Sequence, residues 1–174
     1  MSKKVKIVLF FVAIIIIFYY YNSNKNRVIY YAPNSDQVKQ FIERKKILPL
    51  DIENTKEYSI ILFENNSLQG YYLLYTDLND RLYEKYVSGI YNDTNKNKIS
   101  ISGMESGYAF ITIIITDEKI YNKASKVVVQ LNNQKNIEEK IESKGIIIMM
   151  GEDNQWNVIN IYDQDGNLLY TQKR

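Results

Sequence analysis

Four residues near the C-terminus have the types and spacing that could begin a calcium-binding loop. They are Asp163, Asp165, Gly166 and Asn167, in the run DQDGN. A calcium loop of the EF-hand type continues to a glutamate and lies between two helices, whereas LLYTQKR follows here and both flanks have the composition of strands. The run therefore predicts a hairpin turn in which Gly166 has a positive φ, and we predict no metal site.

Acidic pairs and Ser-Lys pairs are the other candidates for catalysis. Glycoside hydrolysis needs two acids that face each other across a cleft, and most acidic residues here fall in predicted turns. Ser125 and Lys126 are adjacent, as are Ser143 and Lys144, but neighbouring strand residues point to opposite faces. The chain contains no His and no Cys, which excludes thiolate nucleophiles, haem ligands, Cys/His zinc sites and Ser-His-Asp triads. We therefore predict that the protein is not an enzyme and that it has no catalytic residue and no cofactor.

The sixteen tyrosines are the enriched residues with a binding interpretation, and the single tryptophan, Trp156, could join them in one surface. A tyrosine ring is rigid and apolar with a polar hydroxyl, which suits sugar stacking and protein interfaces. Tyrosine is also favoured in strands, where it fills sheet cores and edges, so each ring has a structural alternative. The candidate ligand surface consists of Tyr71, Tyr75, Tyr83, Tyr86 and Trp156.

The formal charge of +2 is unevenly distributed along the chain. Residues 1–27 contain five basic side chains and no acidic one, so the remainder holds 17 of the 22 basic residues and all 20 acidic ones. That remainder has a formal charge of about −3, whereas phosphate recognition needs clustered Lys and Arg. We predict no nucleic-acid partner.

An uncharged apolar run, IVLFFVAIIIIFYYY, extends from Ile7 to Tyr21 behind three lysines. At 1.5 Å per residue it spans roughly 22 Å of a hydrocarbon core of about 30 Å, and its flanking residues lengthen the span. The length fits either a cleaved signal peptide or an uncleaved signal anchor. Because a signal peptidase needs small residues and Ala13 is the only alanine in reach, we favour the anchor.

The orientation of this predicted transmembrane helix follows from the basic residues around it. Three lysines precede the run, whereas Lys25 and Arg27 follow it. The excess on the N-terminal side favours a cytoplasmic N-terminus. We therefore predict a single-pass cell-membrane protein that contacts the lipid bilayer through residues 5–21 and carries its C-terminal domain outside.

The predicted organisation is an anchor over residues 1–21, a polar stalk over 22–34 and an extracytoplasmic β-rich domain over 35–174. A leading helix is predicted over 35–48, with Ser35 as its N-cap. Apolar residues recur on one face of this helix, and Pro49 ends it. The apolar residues of that face are Val38, Phe41 and Ile42.

From residue 58 onward, apolar and aromatic runs alternate with turn residues, which is typical of an all-β sandwich or barrel. The runs at 113–115 and 146–150 are continuously apolar, so we expect both faces of these strands to be covered and the core to centre on them. Residues 132–144 fit either a short helix or an edge strand. The predicted strands are 58–64, 70–77, 81–89, 98–102, 108–116, 126–131, 145–150, 156–163 and 167–172.

The fold class predicted from these patterns is mainly β. It is an antiparallel β-sandwich or partly open barrel with one short N-terminal helix, preceded by a single transmembrane helix.

The order of the segments SIILFENNSLQGYYLLYTD, FITIIITDEKI, KVVVQL, GIIIMM and IYDQDGNLLY carries a family resemblance. Over roughly residues 58–172 the chain resembles small membrane-anchored extracytoplasmic β-rich proteins of low-GC Gram-positive bacteria, which have no assigned activity. The chain departs from that pattern at Met149 and Met150, where the resemblance leads us to expect an aromatic residue. The resemblance implies a location and a fold, and it transfers no functional residue.

Taken together, the sequence predicts a membrane-anchored extracytoplasmic binding or accessory module. One alternative is a module that binds cell-wall glycan through its aromatic residues. Another is an inhibitor or immunity-like partner of a different envelope protein.

Overall fold

A computed structural model of the chain describes residue 12 and residues 14–17, 29–65, 68–88, 98–105, 107–152 and 154–174. The chain divides into two compact units, Met1–Tyr30 and Tyr31–Arg174. Within the predicted membrane span, residue 12 and residues 14–17 are helical, and the other residues of 5–21 lie outside the described part. Among the described residues, no helix is long and apolar enough to cross a bilayer.

The described part of the second unit contains two helices and eleven strands. The helices are α1 (Ser35–Lys45) and α2 (Glu118–Tyr121). All nine predicted strands are present, so the mainly β class with antiparallel sheets and a short N-terminal helix is confirmed. The strands are β1 (Pro49–Asn54), β2 (Ser59–Asn65), β3 (Leu68–Thr76), β4 (Leu82–Ser88), β5 (Ile99–Met104), β6 (Tyr108–Ile115), β7 (Ala124–Leu131), β8 (Asn136–Lys140), β9 (Gly145–Glu152), β10 (Trp156–Asp163) and β11 (Leu168–Lys173).

Helix α1 differs from its prediction at both ends. Its N-cap is Asn34, one residue before Ser35, because the Asn34 side chain accepts a hydrogen bond from the Gln37 backbone N–H at 2.9 Å and the Gln37 side chain accepts one from the Asn34 N–H at 2.9 Å. The helix ends at Lys45 instead of residue 48, since Lys46 has a left-handed φ of 54°.

The strands form three antiparallel sheets. The N-terminal sheet has the order β1-β2-β3-β4, the middle sheet β5-β6-β9 and the C-terminal sheet β11-β10-β7-β8. Residues 136–140, in the segment predicted as either a helix or an edge strand, form β8 at an edge of the C-terminal sheet. In the predicted turn between β10 and β11, Gly166 has a φ of 81°, which confirms that hairpin.

The middle sheet is covered on both faces, as the continuous apolar runs predicted. In β6, Ile111 and Ile113 pack toward the C-terminal sheet, whereas Phe110 and Ile114 pack toward the N-terminal sheet. Strand β9 pairs with β6, and its side chains also point alternately toward the C-terminal sheet and the N-terminal sheet. Helix α1 covers the other face of the N-terminal sheet, so the second unit has four layers with β6 at its centre.

The end of the predicted stalk is attached to the second unit. Tyr31 N–H donates to the Thr76 carbonyl oxygen at 2.9 Å, and Ala32 N–H donates to the Lys56 carbonyl oxygen at 3.1 Å. Pro33 is buried. Residues 22–28 of the predicted stalk lie outside the described part of the chain.

Candidate functional site

Tyr71, the first residue of the predicted aromatic ligand surface, lies in the core between the N-terminal and middle sheets. Its ring meets that of Phe110 edge-on at 5.2 Å between centroids, and its hydroxyl donates to the Gly103 carbonyl oxygen at 3.3 Å. Burial raises the pKa of Tyr71. Because the Tyr71 side chain is only 2% exposed, it belongs to the hydrophobic core between these two sheets.

Two of the other predicted aromatics meet. Tyr75 and Tyr83 are cross-strand partners of β3 and β4, and their half-buried rings stack at 5.7 Å between centroids. Tyr86 lies on the opposite face of β4, and Trp156 lies on β10 against the core of the C-terminal sheet. The structure therefore brings Tyr75 and Tyr83 together and distributes the other members elsewhere. A ligand surface at the Tyr75–Tyr83 stack stays a prediction.

A different feature combines concavity with polar groups, namely a groove of about 680 Å³ along the open edge of β9. It is bordered by residues 50–53 of β1, residues 139–143 in and after β8, and residues 145–149 of β9. Each of these three strands is the edge strand of its own sheet. We call this place, where three sheet edges meet, the edge groove.

Carboxylates enter the edge groove from two sheets. Asp51 and Glu53 of β1 pair with Leu62 and Ile60, which are buried against the middle sheet. Because paired residues of antiparallel strands share a face, both acids face the layer of the middle sheet. Glu139 of β8 pairs with Val127, which is buried against the middle sheet from the other side, so Glu139 faces the same layer.

Two polar side chains hold the groove together by capping the open edge of β9. The Asp51 carboxylate accepts from the Ile147 N–H at 2.7 Å through one oxygen and from the Ile52 N–H at 2.8 Å through the other. The Ser143 hydroxyl accepts from the Gly145 N–H at 3.1 Å. Asp51 therefore acts as a structural tie between the N-terminal and middle sheets.

Glu53 and Glu139, like Asp51, have no salt-bridge partner among the described residues. Glu142 beside them, in contrast, pairs with Lys140 at 3.0 Å. Uncompensated like charges in a partly buried place repel one another and attract cations. The edge groove therefore has a negative potential.

The electrostatics of Glu53 reflect this arrangement. Burial is the largest cause that raises the pKa of Glu53, followed by the charge of Asp51, with a smaller contribution from Glu139. A hydrogen bond from the backbone of Asn54 opposes the shift. The three carboxylates are thus close enough to influence one another, although no group of three or more in the described part is arranged to hold a metal ion.

Replacement of Glu53 by glutamine is expected to remove a pH dependence of stability. The pKa of Glu53 is raised on folding, so the folded wild-type protein holds the proton of Glu53 more tightly than the unfolded chain does. This difference stabilises the fold at low pH. The stabilisation is lost as the pH rises above the ordinary value of 4.5 and through the folded-state pKa. Thermal unfolding of the full-length wild type and Glu53→Gln, measured from pH 4 to 8, checks this. Wild type is expected to lose stability relative to the variant as pH rises, and a constant difference would contradict the expectation.

Sequence reasoning missed this site because no element was predicted at Asp51 and Glu53, between the leading helix and the first strand, and because Glu139 lies in the segment that fitted either a helix or an edge strand. A signal existed in β1, where Leu50 and Ile52 alternate with Asp51 and Glu53 at the period of two that is typical of a strand. The juxtaposition with Glu139 depends on the pairing of β7 with β8 and on the stacking of the sheets. Neither can be read from local spacing.

The fold and the groove define a mainly β protein of three antiparallel sheets with an acidic groove at their shared edge. No protein family, curated protein or solved structure matches the chain in the comparisons. Function is therefore argued from the groove and the sequence.

Proposed function

We propose that the chain is a membrane-anchored extracytoplasmic module that binds a partner in the edge groove. The observation that carries the binding role is the groove itself, in which an open strand edge and the carboxylates of Glu53 and Glu139, which form no ion pair with another described residue, line one concavity of about 680 Å³. That volume is within the range of ligand-binding pockets in proteins, about 300–1,000 Å³.

The membrane location is supported by the N-terminal run and by exposed apolar side chains within it. Ile15, Ile16 and Ile17 are 65%, 62% and 67% exposed in the helical residues that the structure describes. Adjacent exposed isoleucines are unfavourable in water and favourable in lipid. The lysines before the run support a cytoplasmic N-terminus and an external C-terminal unit.

The edge groove favours a protein partner over cell-wall glycan. Its lining consists of four carboxylates, one lysine (Lys140), the Ser143 hydroxyl, aliphatic side chains and main-chain groups, whereas sugar binding typically uses exposed aromatic faces. The glycan alternative relies on the half-buried Tyr75–Tyr83 stack, which lies outside the groove lining.

Single-cysteine labelling of intact cells tests location and occupancy together, because the native chain has no cysteine. The variants are Ser2→Cys, Glu138→Cys and Glu139→Cys, with a membrane-impermeant maleimide as reagent. Glu138 and Glu139 are exposed neighbours on opposite faces of β8, and only Glu139 faces the groove. We expect labelling at position 138 on intact cells and labelling at position 2 only after permeabilisation.

The groove position distinguishes a bound partner from an empty groove. Glu139→Cys is expected to react at least threefold more slowly on cells than in the purified full-length protein, whereas Glu138→Cys reacts at similar rates in both. Labelling of position 138 only after permeabilisation would refute the external location. Equal rates in both preparations at position 139 and also in a Glu142→Cys variant, whose exposed position lines the groove and has no role assigned in partner binding, would refute the groove as the binding site.

A further inference from the structure

Within the part of the chain that the structure describes, the middle sheet has three strands, whereas each of the sheets that flank it has four. The edge groove lies beside β9, between the edge strands β1 and β8 of those flanking sheets. Neighbouring strands are about 4.8 Å apart and stacked sheets about 10 Å apart, so the next position in the middle layer is the position of the groove. The groove therefore has the place and direction of a fourth strand.

The main chain of β9 presents hydrogen-bonding groups to this place. The Ile147 N–H points into the groove, where it already donates to the Asp51 carboxylate of β1, so the groups left for a partner are the other main-chain groups of this edge. In an antiparallel strand the two main-chain groups of one residue point to the same edge and alternate residues point alike. The carbonyl of Ile147 and both main-chain groups of Met149 therefore also point to the open edge, which no strand of the described part pairs.

The charges around the groove identify the chemistry of its occupant. Glu53 faces the vacant strand position from the N-terminal sheet, and Glu139 faces it from the C-terminal sheet. Side chains of a strand alternate between its two faces, so a strand in this position would present one set to Glu53 and the other to Glu139. Basic side chains on both faces satisfy both carboxylates.

We infer that the edge groove binds an extended, cationic segment of a partner protein, which adds to β9 as the fourth strand of the middle sheet. This inference rests on the proposed function and names the partner class of the same site. Main-chain pairing with the Ile147 carbonyl and with both main-chain groups of Met149 supplies the direction of the segment. Ion pairs with Glu53 and Glu139 select lysine and arginine over acidic side chains.

Binding of a designed peptide to the full-length protein in non-ionic detergent tests this inference. The probe is the fluorescein-labelled heptapeptide VKKVKKV, in which adjacent lysines point to opposite faces of an extended strand. Fluorescence anisotropy at low ionic strength measures its affinity. We expect saturable binding that weakens as salt is added, and slower hydrogen exchange in residues 145–152 when the peptide is bound.

Matched variants distinguish the effect of the two groove carboxylates on peptide binding from the effect of the protein's overall charge. Glu53→Gln and Glu139→Gln are each expected to weaken peptide binding about fivefold, since each removes one charge-assisted contact. Glu138→Gln removes the same charge from the outer face of β8, where Glu138 pairs with Lys126 at 3.0 Å, and is expected to change affinity less than twofold. An equal loss in all three variants would overturn the assignment to the groove.

A modified peptide separates strand addition from charge attraction alone. The same heptapeptide with every backbone nitrogen methylated keeps its lysines and loses its strand-pairing donors, and we expect at least tenfold weaker binding. Undiminished binding of the methylated peptide would overturn strand addition. Self-association of the full-length protein that keeps the peptide from binding, and that Glu53→Gln and Glu139→Gln both abolish, would identify a second copy of this chain as the occupant and overturn the cationic partner.

The inference and the proposed function fail in different experiments. Protection of Glu139→Cys on cells together with no binding of the heptapeptide would leave the binding role standing and refute the cationic strand. Binding of the heptapeptide together with a cytoplasmic C-terminal unit would refute the external location and leave the groove chemistry standing.

Discussion

Replacement of Gly103 by alanine is expected to lower the free energy of unfolding by about 4 kcal/mol, because overpacking and backbone strain each contribute about 2 kcal/mol. A Cβ atom at this position would lie 2.2 Å from the carbonyl oxygen of Phe110 and 2.8 Å from the Cα of Ile111. These are backbone atoms of β6, the central strand of the middle sheet, so they cannot move without disturbing both adjoining cores. The φ of 152° at Gly103 is also unfavourable for a residue with a side chain.

Urea unfolding of the full-length protein, followed by circular dichroism, measures this loss. The matched control is Gly107→Ala in the same hairpin, where φ is 68° and, chain neighbours aside, no heavy atom of a described residue lies within 4 Å of the added Cβ. The Gly107→Ala variant has only the cost of placing a side chain on a left-handed backbone, and its free energy of unfolding is expected to fall by about 1 kcal/mol. Equal losses in the two variants would show that the close approach of β5 to β6 is absent.

Replacement of Phe110 by alanine is expected to cost about 4 kcal/mol, because it leaves a cavity between the N-terminal and middle sheets. Phe110 has no exposed surface, and its ring contacts Tyr71 at 5.2 Å and Tyr58 at 6.3 Å between centroids. The Tyr58 hydroxyl also donates to the Tyr108 carbonyl oxygen at 2.7 Å, and burial raises the pKa of Tyr58 to about 12. The ring therefore supports a cluster that joins the two sheets.

The same unfolding measurement checks this second prediction. The control is Leu78→Ala, at a residue that is 72% exposed, and its expected effect is within about 0.5 kcal/mol. The near-ultraviolet circular dichroism of the tyrosines is expected to change in Phe110→Ala, since Tyr58 and Tyr71 lose their aromatic neighbour. A loss below about 1 kcal/mol would contradict the packing of the N-terminal sheet on the middle sheet.

Local sequence patterns predicted strands well because most strands here are runs of β-branched and aromatic residues between turn residues. The continuous apolar run at 146–150 also predicted burial on both faces, and the structure confirms it. Strand β1 escaped prediction because it is short and contains only Leu50 and Ile52 as apolar residues after Pro49. Helix α2 escaped because it has only four residues, Glu118–Tyr121.

Local sequence patterns could not predict which strands pair with one another. Strand β6 pairs with β9, about thirty residues later, and no local spacing specifies that partner. The same reason applies to the edge groove, whose acids come from β1 and β8. The aromatic residues illustrate the converse problem, since Tyr71 and Tyr86 are tyrosines of neighbouring strands and yet Tyr71 is 2% exposed, whereas Tyr86 is 41% exposed.

The pairing of β6 with β9 also determines an order of assembly. The N-terminal sheet is a meander in which each strand pairs with the next, so its contacts are local and form at low entropic cost. The middle sheet closes only when the chain after β6 has returned through β7 and β8. A newly made chain therefore exposes one edge of β6 before β9 pairs with it. Strand β9, the last strand of the middle sheet to be made, is the one that completes the edge groove.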